Sequence, residues 1–141
     1  GAIDYLYQPN QYPSWRRHTR YHHSLGVALL ARHYASRAGI DQHGSRLIFA
    51  AAALHDIGHA PLSHSLEAAF RRRFGVDHHA ACVAILTGSH RLGIEIGIVF
   101  KRFGLSGEEV VEMLQGDGSA AAQALFASPL NLDTLEAISR S

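Results

Sequence analysis

The sequence predicts an all-α domain, and three observations carry that expectation. Apolar residues recur at spacings of three and four along residues 23–34, the period of an amphipathic helix. Asp77 and the capping box Ser106-Gly107-Glu108-Glu109 stand immediately before apolar-periodic runs, where helix N-caps belong. Gly39, Gly75 and Gly116 fall between the runs, where helices end. A length of 141 residues suffices for one domain with a sizeable core.

Residues 1–14 carry Pro9, Pro13 and several tyrosines without helical period, so an irregular N-terminal arm is expected, packed by Tyr5, Tyr7, Tyr12 and Trp15 onto a domain of residues 15–141. Ser14 is the expected N-cap of a helix reaching Gly39. On it Leu25, Ala28, Leu29 and Arg32 form one stripe and His23, Val27, Leu30 and Tyr34 its neighbour. His23 therefore lies on or beside the buried face, whereas His22, about 100° away, points to the surface. Residues 39–44 read as a loop, and Ser45 as the start of a helix whose run Arg46 to Leu54 is apolar almost all round and hence buried. Gly58 suits a turn, and Pro61 cannot continue a helix, so a bend follows.

After the bend, residues 63–74 read as helix with Leu62, Leu66, Ala69 and Phe70 inward and with His64 and Glu67 neighbours on one face. The run Arg71-Arg72-Arg73 reads as a solvated helix end complementing the dipole rather than a phosphate clamp. Gly75 ends that helix and Asp77 caps the next, whose Ala81, Cys82, Ile85 and Leu86 are core residues and whose first turn holds His78. His33 and His90 are read as surface residues. Residues 92–103 alternate like a strand, yet their helical surroundings favour a helix. The capping box opens a helix through Leu114, residues 116–118 make a turn, and an alanine-rich helix runs to Ala127. Ser128-Pro129 opens the last helix, with Asp133 in its second turn among Leu130, Leu132, Leu135 and Ile138; a carboxylate so placed asks for a partner.

Composition excludes several classes. Hydrophobic residues at 47% and charged residues at 18% argue against disorder. A formal charge of +1 gives no basic nucleic-acid footprint. No apolar run reaches the roughly 18 residues of a membrane span, no signal-peptide pattern is read in the opening residues, and a single cysteine, Cys82, forms no internal disulfide. A soluble, cytoplasmic protein is expected, with homo-oligomers left open. The chain opens on Gly1 rather than Met, the expectation being a trimmed, tagged or partial chain.

Eleven histidines against thirteen Lys plus Arg is an unusual ratio, and they cluster in the stretch Leu54-His55-Asp56-Ile57-Gly58-His59-Ala60-Pro61-Leu62-Ser63-His64. Adjacent helical residues point about 100° apart, so His55 and Asp56 can share one ion only where the helix is ending. Taken alone, the pair equally suits a hydrogen-bonded core histidine. His55 and His59 stand four apart as in the zinc-peptidase pattern H-E-x-x-H, but Asp56 replaces its Glu, and Gly58 and Pro61 break the helix it needs. The inward-facing candidates collected along the chain are His23, His55, Asp56 and Asp133. Two imidazoles and two carboxylates suit divalent manganese, iron, nickel, magnesium or zinc and leave positions open for water and substrate.

These pieces resemble the HD-domain phosphohydrolase superfamily: residues 20–27 (Arg-Tyr-His-His-Ser-Leu-Gly-Val), residues 55–64, and Asn131-Leu132-Asp133. The resemblance runs from about Arg20 to the end and is greatest to the deoxynucleoside triphosphate triphosphohydrolase branch. It implies a compact helical bundle with a metal site in a central cleft. It further implies His23, His55, Asp56 and Asp133 as metal ligands, His59 with Glu67 as a catalytic pair, His64 and His78 as further phosphate-facing groups, and Arg20 as a phosphate contact. The expected activity is metal-dependent hydrolysis of a phosphoester or phosphoanhydride of a nucleotide or related small molecule. The alternative is a non-catalytic HD module that binds a nucleotide or a partner protein. Where that branch carries a Lys, a Tyr and an Asp after its last metal Asp, this chain has Thr134, Ala137 and Ser141, and His79 stands in place of a Glu, which puts a preference for triphosphates in doubt. The pair His78-His79 also invites comparison with the two-metal HD-GYP branch, but that branch has Lys where His59 stands.

Overall fold

The computed structural model of the protein describes residues 19–59, 64–117, 119–128 and 131–140. Helix α1 spans Arg20–Arg37 and begins at an extended Thr19, whose side chain accepts from the His22 backbone N–H. The start expected at Ser14 lies outside the described residues, as does the arm; the extended Thr19 rules out a continuous helix running through it. Helix α2 spans Gln42–Leu54 and starts three residues before the expected Ser45. Asp41 caps it by accepting from Gly44 N–H at 2.7 Å. Gly44, read as loop, sits inside the first turn, where a Cβ would lie 2.7 Å from the Ile40 side chain.

Helix α3 spans His64–Phe74 and α4 spans His78–Leu86, the latter capped by Asp77 as expected. Ala69, expected inward, is exposed, and the expectations for Leu62, Leu66 and Phe70 fall outside what is described. Helix α5 spans Arg91–Phe103, so the alternating stretch is helical, with His90 as its N-cap. The capping box closes at the head of α6, Gly107–Gln115. Helix α7, Ala120–Ala122, continues into a five-residue π-turn, Gln123–Ala127. Helix α8 spans Leu132–Arg140, so Asp133 is in its first turn, not its second. Asn131 sets that start: its side-chain oxygen accepts from Thr134 N–H at 2.9 Å. No strand occurs among the described residues, and no single helix there is long and apolar enough to cross a membrane.

The core explains the helix faces. On α1 the buried residues are His23, Val27, Ala28, Ala31 and Ala35, while Leu25 and Leu29 of the other expected stripe are exposed. Alanines decide this. Ala28 and Ala31 of α1 and Ala51 and Ala52 of α2 are fully buried, and small side chains let the two helix axes approach closely. Helix α2 lies between two apolar clusters, one with Val27, Ile48, Ala52, Leu125 and Leu132, the other with Ala51, Leu86, Phe100, Leu105 and Val110. Only Phe49 and Arg46 of its expected all-round apolar run are exposed. Burying a side chain such as Ile48 or Leu86 contributes about 1.5–3 kcal/mol, against about 0–1 kcal/mol for an exposed ion pair such as His43–Glu109. The apolar seam, not surface charge, therefore holds α2 to α6. Helix α8 packs on α1, which brings the last described helix back onto the first.

Candidate metal centre

His55 is the C-cap of α2, and Asp56 and His59 lie in the turn that follows, held by Ile57 N–H to Leu54 O at 3.0 Å and His59 N–H to Asp56 O at 3.1 Å. Here the helix ends, so two adjacent side chains can address one point. Gly58 makes this possible through space rather than through an unusual backbone angle. A Cβ on it would lie 2.1 Å from His78 O and 2.6 Å from Cys82 N, so only glycine lets the turn seat on α4.

His23 reaches the same point from the buried face of α1. Its Nε2 lies 3.2 Å from His55 Nε2, with the rings edge to face. Each imidazole has its other nitrogen engaged. His23 Nδ1 donates to the Glu136 carboxylate at 2.6 Å, and His55 Nδ1 donates to the Ala52 carbonyl at 2.8 Å. In the neutral tautomers both rings therefore turn Nε2 lone pairs toward each other. Asp56 Oδ1 lies 3.5 Å from His55 Nε2, and the donor atoms of His23, His55 and Asp56 all fall within 4.8 Å of one another. Asp133 Oδ1 lies 2.8 Å from His23 Nε2. Acceptors converge in this way around a cation, and mixed imidazole and carboxylate donors with oriented Nδ1–H groups fit a divalent metal ion.

Asp133 is not enclosed by the apolar residues around it in sequence. Leu132 is buried, but Leu135 and Ile138 are exposed, and the partner of the carboxylate is His23. When the His23 imidazole carries both protons, its Nε2–H donates to Asp133 and holds that carboxyl below its ordinary range against the opposing effect of partial burial, with the charges of His23, His55 and His59 adding to it.

Asp56 divides its oxygens. Oδ2 accepts from Arg20 Nη1 at 3.0 Å, in the first turn of α1, and Oδ1 faces His55 and, at 3.4 Å, His59 Nε2. His59 stacks on His78 with centroids 4.2 Å apart, and the His79 ring packs at a tilt against His78, 4.0 Å between centroids. Glu67, expected to pair with His59, accepts from His78 Nδ1, the ring that stacks on His59. The side chain of His64 lies outside what is described. His22, His33 and His90 are exposed, as are Arg71, Arg72 and Arg73.

Sequence reasoning missed Glu136, a carboxylate only 5% exposed. It sits three residues after Asp133, on the same face of α8, and that spacing was the available signal. Gly26 was another: a Cβ there would lie 2.4 Å from Glu136 Oε1.

The centre opens on a cavity of about 420 Å³. It is lined by His55, Asp56, His59, His78 and Asp133 together with apolar residues of α4, α6 and the π-turn.

Comparison with known proteins identifies the family. The HD domain family model matches residues 20–125. The chain is 29% identical over 128 residues, 87% of its length, to the uncharacterized protein YwfO of Bacillus subtilis, of which it covers 28%. It is 40% identical over 78 residues, 52% of its length, to a deoxyguanosinetriphosphate triphosphohydrolase-like protein of Rhodopseudomonas palustris (strain BisB5), of which it covers 19%. Over 58 residues, 39% of the chain, it is 47% identical to the uncharacterized protein MG461 homolog of Mycoplasma pneumoniae and covers 14% of it. The chain thus spans between 14% and 28% of the length of these relatives. No solved structure gives a significant match.

Proposed function

The chain belongs to the HD-domain family, and from that premise we propose that it is a metal-dependent hydrolase of a phosphoester or phosphoanhydride carried by a nucleotide or a related small molecule. One observation carries the reading: two Nδ1-anchored imidazoles, His23 and His55, point their Nε2 atoms at one place, beside the Asp56 carboxylate. Relatives named as deoxyguanosinetriphosphate triphosphohydrolase-like support the nucleotide class.

His23, His55, Asp56 and Asp133 would hold one divalent ion. Bound there, such an ion lowers the pKa of its water toward about 7 and polarises a phosphoryl oxygen. The chain's own groups supply the rest. Glu136 and the Ala52 carbonyl keep both imidazoles in the ligating tautomer. Arg20 fixes the Asp56 carboxylate and brings a guanidinium, matched to phosphate oxygens, to the edge of the site. His59 and His78, stacked at the cavity, would donate a proton toward the departing oxygen, with Glu67 orienting His78.

The test is metal analysis of the purified chain paired with turnover of a nucleotide panel and a generic phosphoester under added manganese. Roughly one metal per chain with phosphate release is expected. Bound metal without turnover would make the protein a binding module, and no metal after reconstitution would overturn the site.

A further inference from the structure

Helix α5 seats one face on the core and leaves the opposite face apolar. Gly93 and Phe100 are its buried residues, and Gly93 packs so closely that a Cβ there would lie 2.0 Å from Ile85 O. On the outer side Leu92, Ile94, Ile98, Val99 and Phe103 are between 48% and 65% exposed. Single exposed apolar residues are ordinary, but five on one helix of 13 residues make a patch of the kind that marks an interaction surface. None of the five lines the cavity at the metal donors, so the patch has no part in the chemistry above.

The charges on this face say what covers it. Glu95, Ile98 and Arg102 follow one another at spacings of three and four, so they share one line along the helix, opposite Gly93 and Phe100. Glu95 and Arg102 are exposed and make no ion pair among the described residues. They stand about 10 Å apart along the axis, on either side of Ile98 and Val99. A second α5 laid antiparallel on the first, with the two-fold axis between Ile98 and Val99, brings Glu95 of each copy to Arg102 of the other. The same register sets Ile98 and Val99 of the two copies against each other. A two-fold contact requires a surface complementary to itself, and this arrangement of opposite charges about an apolar centre is one. A lipid surface fits less well. Arg91, Lys101 and Arg102 favour anionic headgroups, but Glu95 in the middle of the apolar face would be pressed into the interface unpaired. We infer that the outer face of α5 is a self-association surface, through which two copies of this chain pair about Ile98 and Val99 with reciprocal Glu95–Arg102 ion pairs. The inference stands independently of the hydrolase reading.

Sedimentation equilibrium of the full chain from about 1 µM to about 1 mM tests this, a range set by the small contact that a single helix of about 20 Å offers. A reversible monomer–dimer equilibrium is expected. By symmetry each substitution acts twice in the dimer, so Glu95→Arg and Arg102→Glu, each alone, should weaken dimerisation by at least about tenfold through like-charge repulsion. An equimolar mixture of the two variants should associate again, because each then meets the opposite charge on the other. A damaged fold cannot produce that recovery. A chain that stays monomeric throughout the range overturns the proposal, and if that monomer binds phosphatidylglycerol vesicles the face belongs to a lipid surface instead. A wild-type dimer that both reversals leave intact overturns it as well, as does a mixture that associates no more tightly than its components. Manganese binding should be unchanged in both variants, which separates failure of this surface from failure of the metal centre.

Discussion

His23 Nδ1 donates to Glu136 Oε2 at 2.6 Å, and Gly26, three residues along α1 from His23, leaves the space that this carboxylate occupies. The pair joins the first helix to the last and sets which nitrogen of His23 faces the metal centre. Glu136→Ala should therefore weaken manganese binding by about 10–100-fold, the usual effect of removing a group that orients a ligating histidine. Gly26→Ala provides a sign test. Alanine ordinarily stabilises a helix interior by about 1 kcal/mol over glycine, but here its Cβ would lie 2.4 Å from Glu136 Oε1, so metal affinity should fall. Calorimetric manganese titration of both variants checks this; wild-type affinity in Glu136→Ala would remove Glu136 from the site.

Asp56 faces His55 and His59 with one oxygen and Arg20 with the other. Asp56→Ala should abolish metal binding and activity together. Arg20→Lys keeps the charge but loses the planar fork, so it should retain metal while losing turnover by roughly 10–100-fold through misorientation of the carboxylate. Retained activity in Asp56→Ala would end the metal-centre reading.

Acid should act on the fold at three carboxylates, Asp77, Glu109 and Asp133, and in one direction, the Ala80 backbone N–H holding Asp77 below its ordinary range. The backbone N–H of Ser106 holds the Glu109 carboxyl below its ordinary range, and His23 does the same for Asp133. A lowered folded pKa means stabilisation that is fully present above the unfolded value and is lost as pH falls from there through the folded value. Melting temperature should thus drop from about pH 4.5 downward, less steeply in Glu109→Gln. Ser106→Ala, which removes the other half of the capping box, should cost about 1 kcal/mol at neutral pH. Metal binding itself should weaken with acid over a higher range, because protons compete for the imidazole nitrogens.

Two glycines should respond oppositely to alanine. At Gly58 a Cβ would collide with the backbone of His78 and Cys82, so Gly58→Ala should cost about 1–3 kcal/mol as an overpacked site and should separate His59 from His78. At Gly97, mid-helix in α5, a Cβ meets nothing within 4 Å, and Gly97→Ala should stabilise by about 0.5–1 kcal/mol. Thermal melts of the two variants test the pair.

The sequence by itself determined whatever depends on near neighbours. Caps at Asp77 and Ser106 with Glu109, and stops at Gly75 and Gly116, act within one turn, so the helix order and most boundaries could be read directly. The same holds for His55 and Asp56, whose place at a helix end follows from the residues beside them. Asp41 was an equally local cap, but Gly44 behind it has low helix propensity and obscured it. Only the tertiary structure decided the rest. Leu25 and Leu29 lost the core to Ala28 and Ala31 because helix approach, not hydrophobicity, selects the face that packs on α2. Glu136, the His59–His78 stack and the apolar lining of the cavity arise from residues far apart in the chain, where spacing along the sequence carries no distance. A buried carboxylate reads like a surface one until its partner, here His23, is brought to it by packing of α8 on α1.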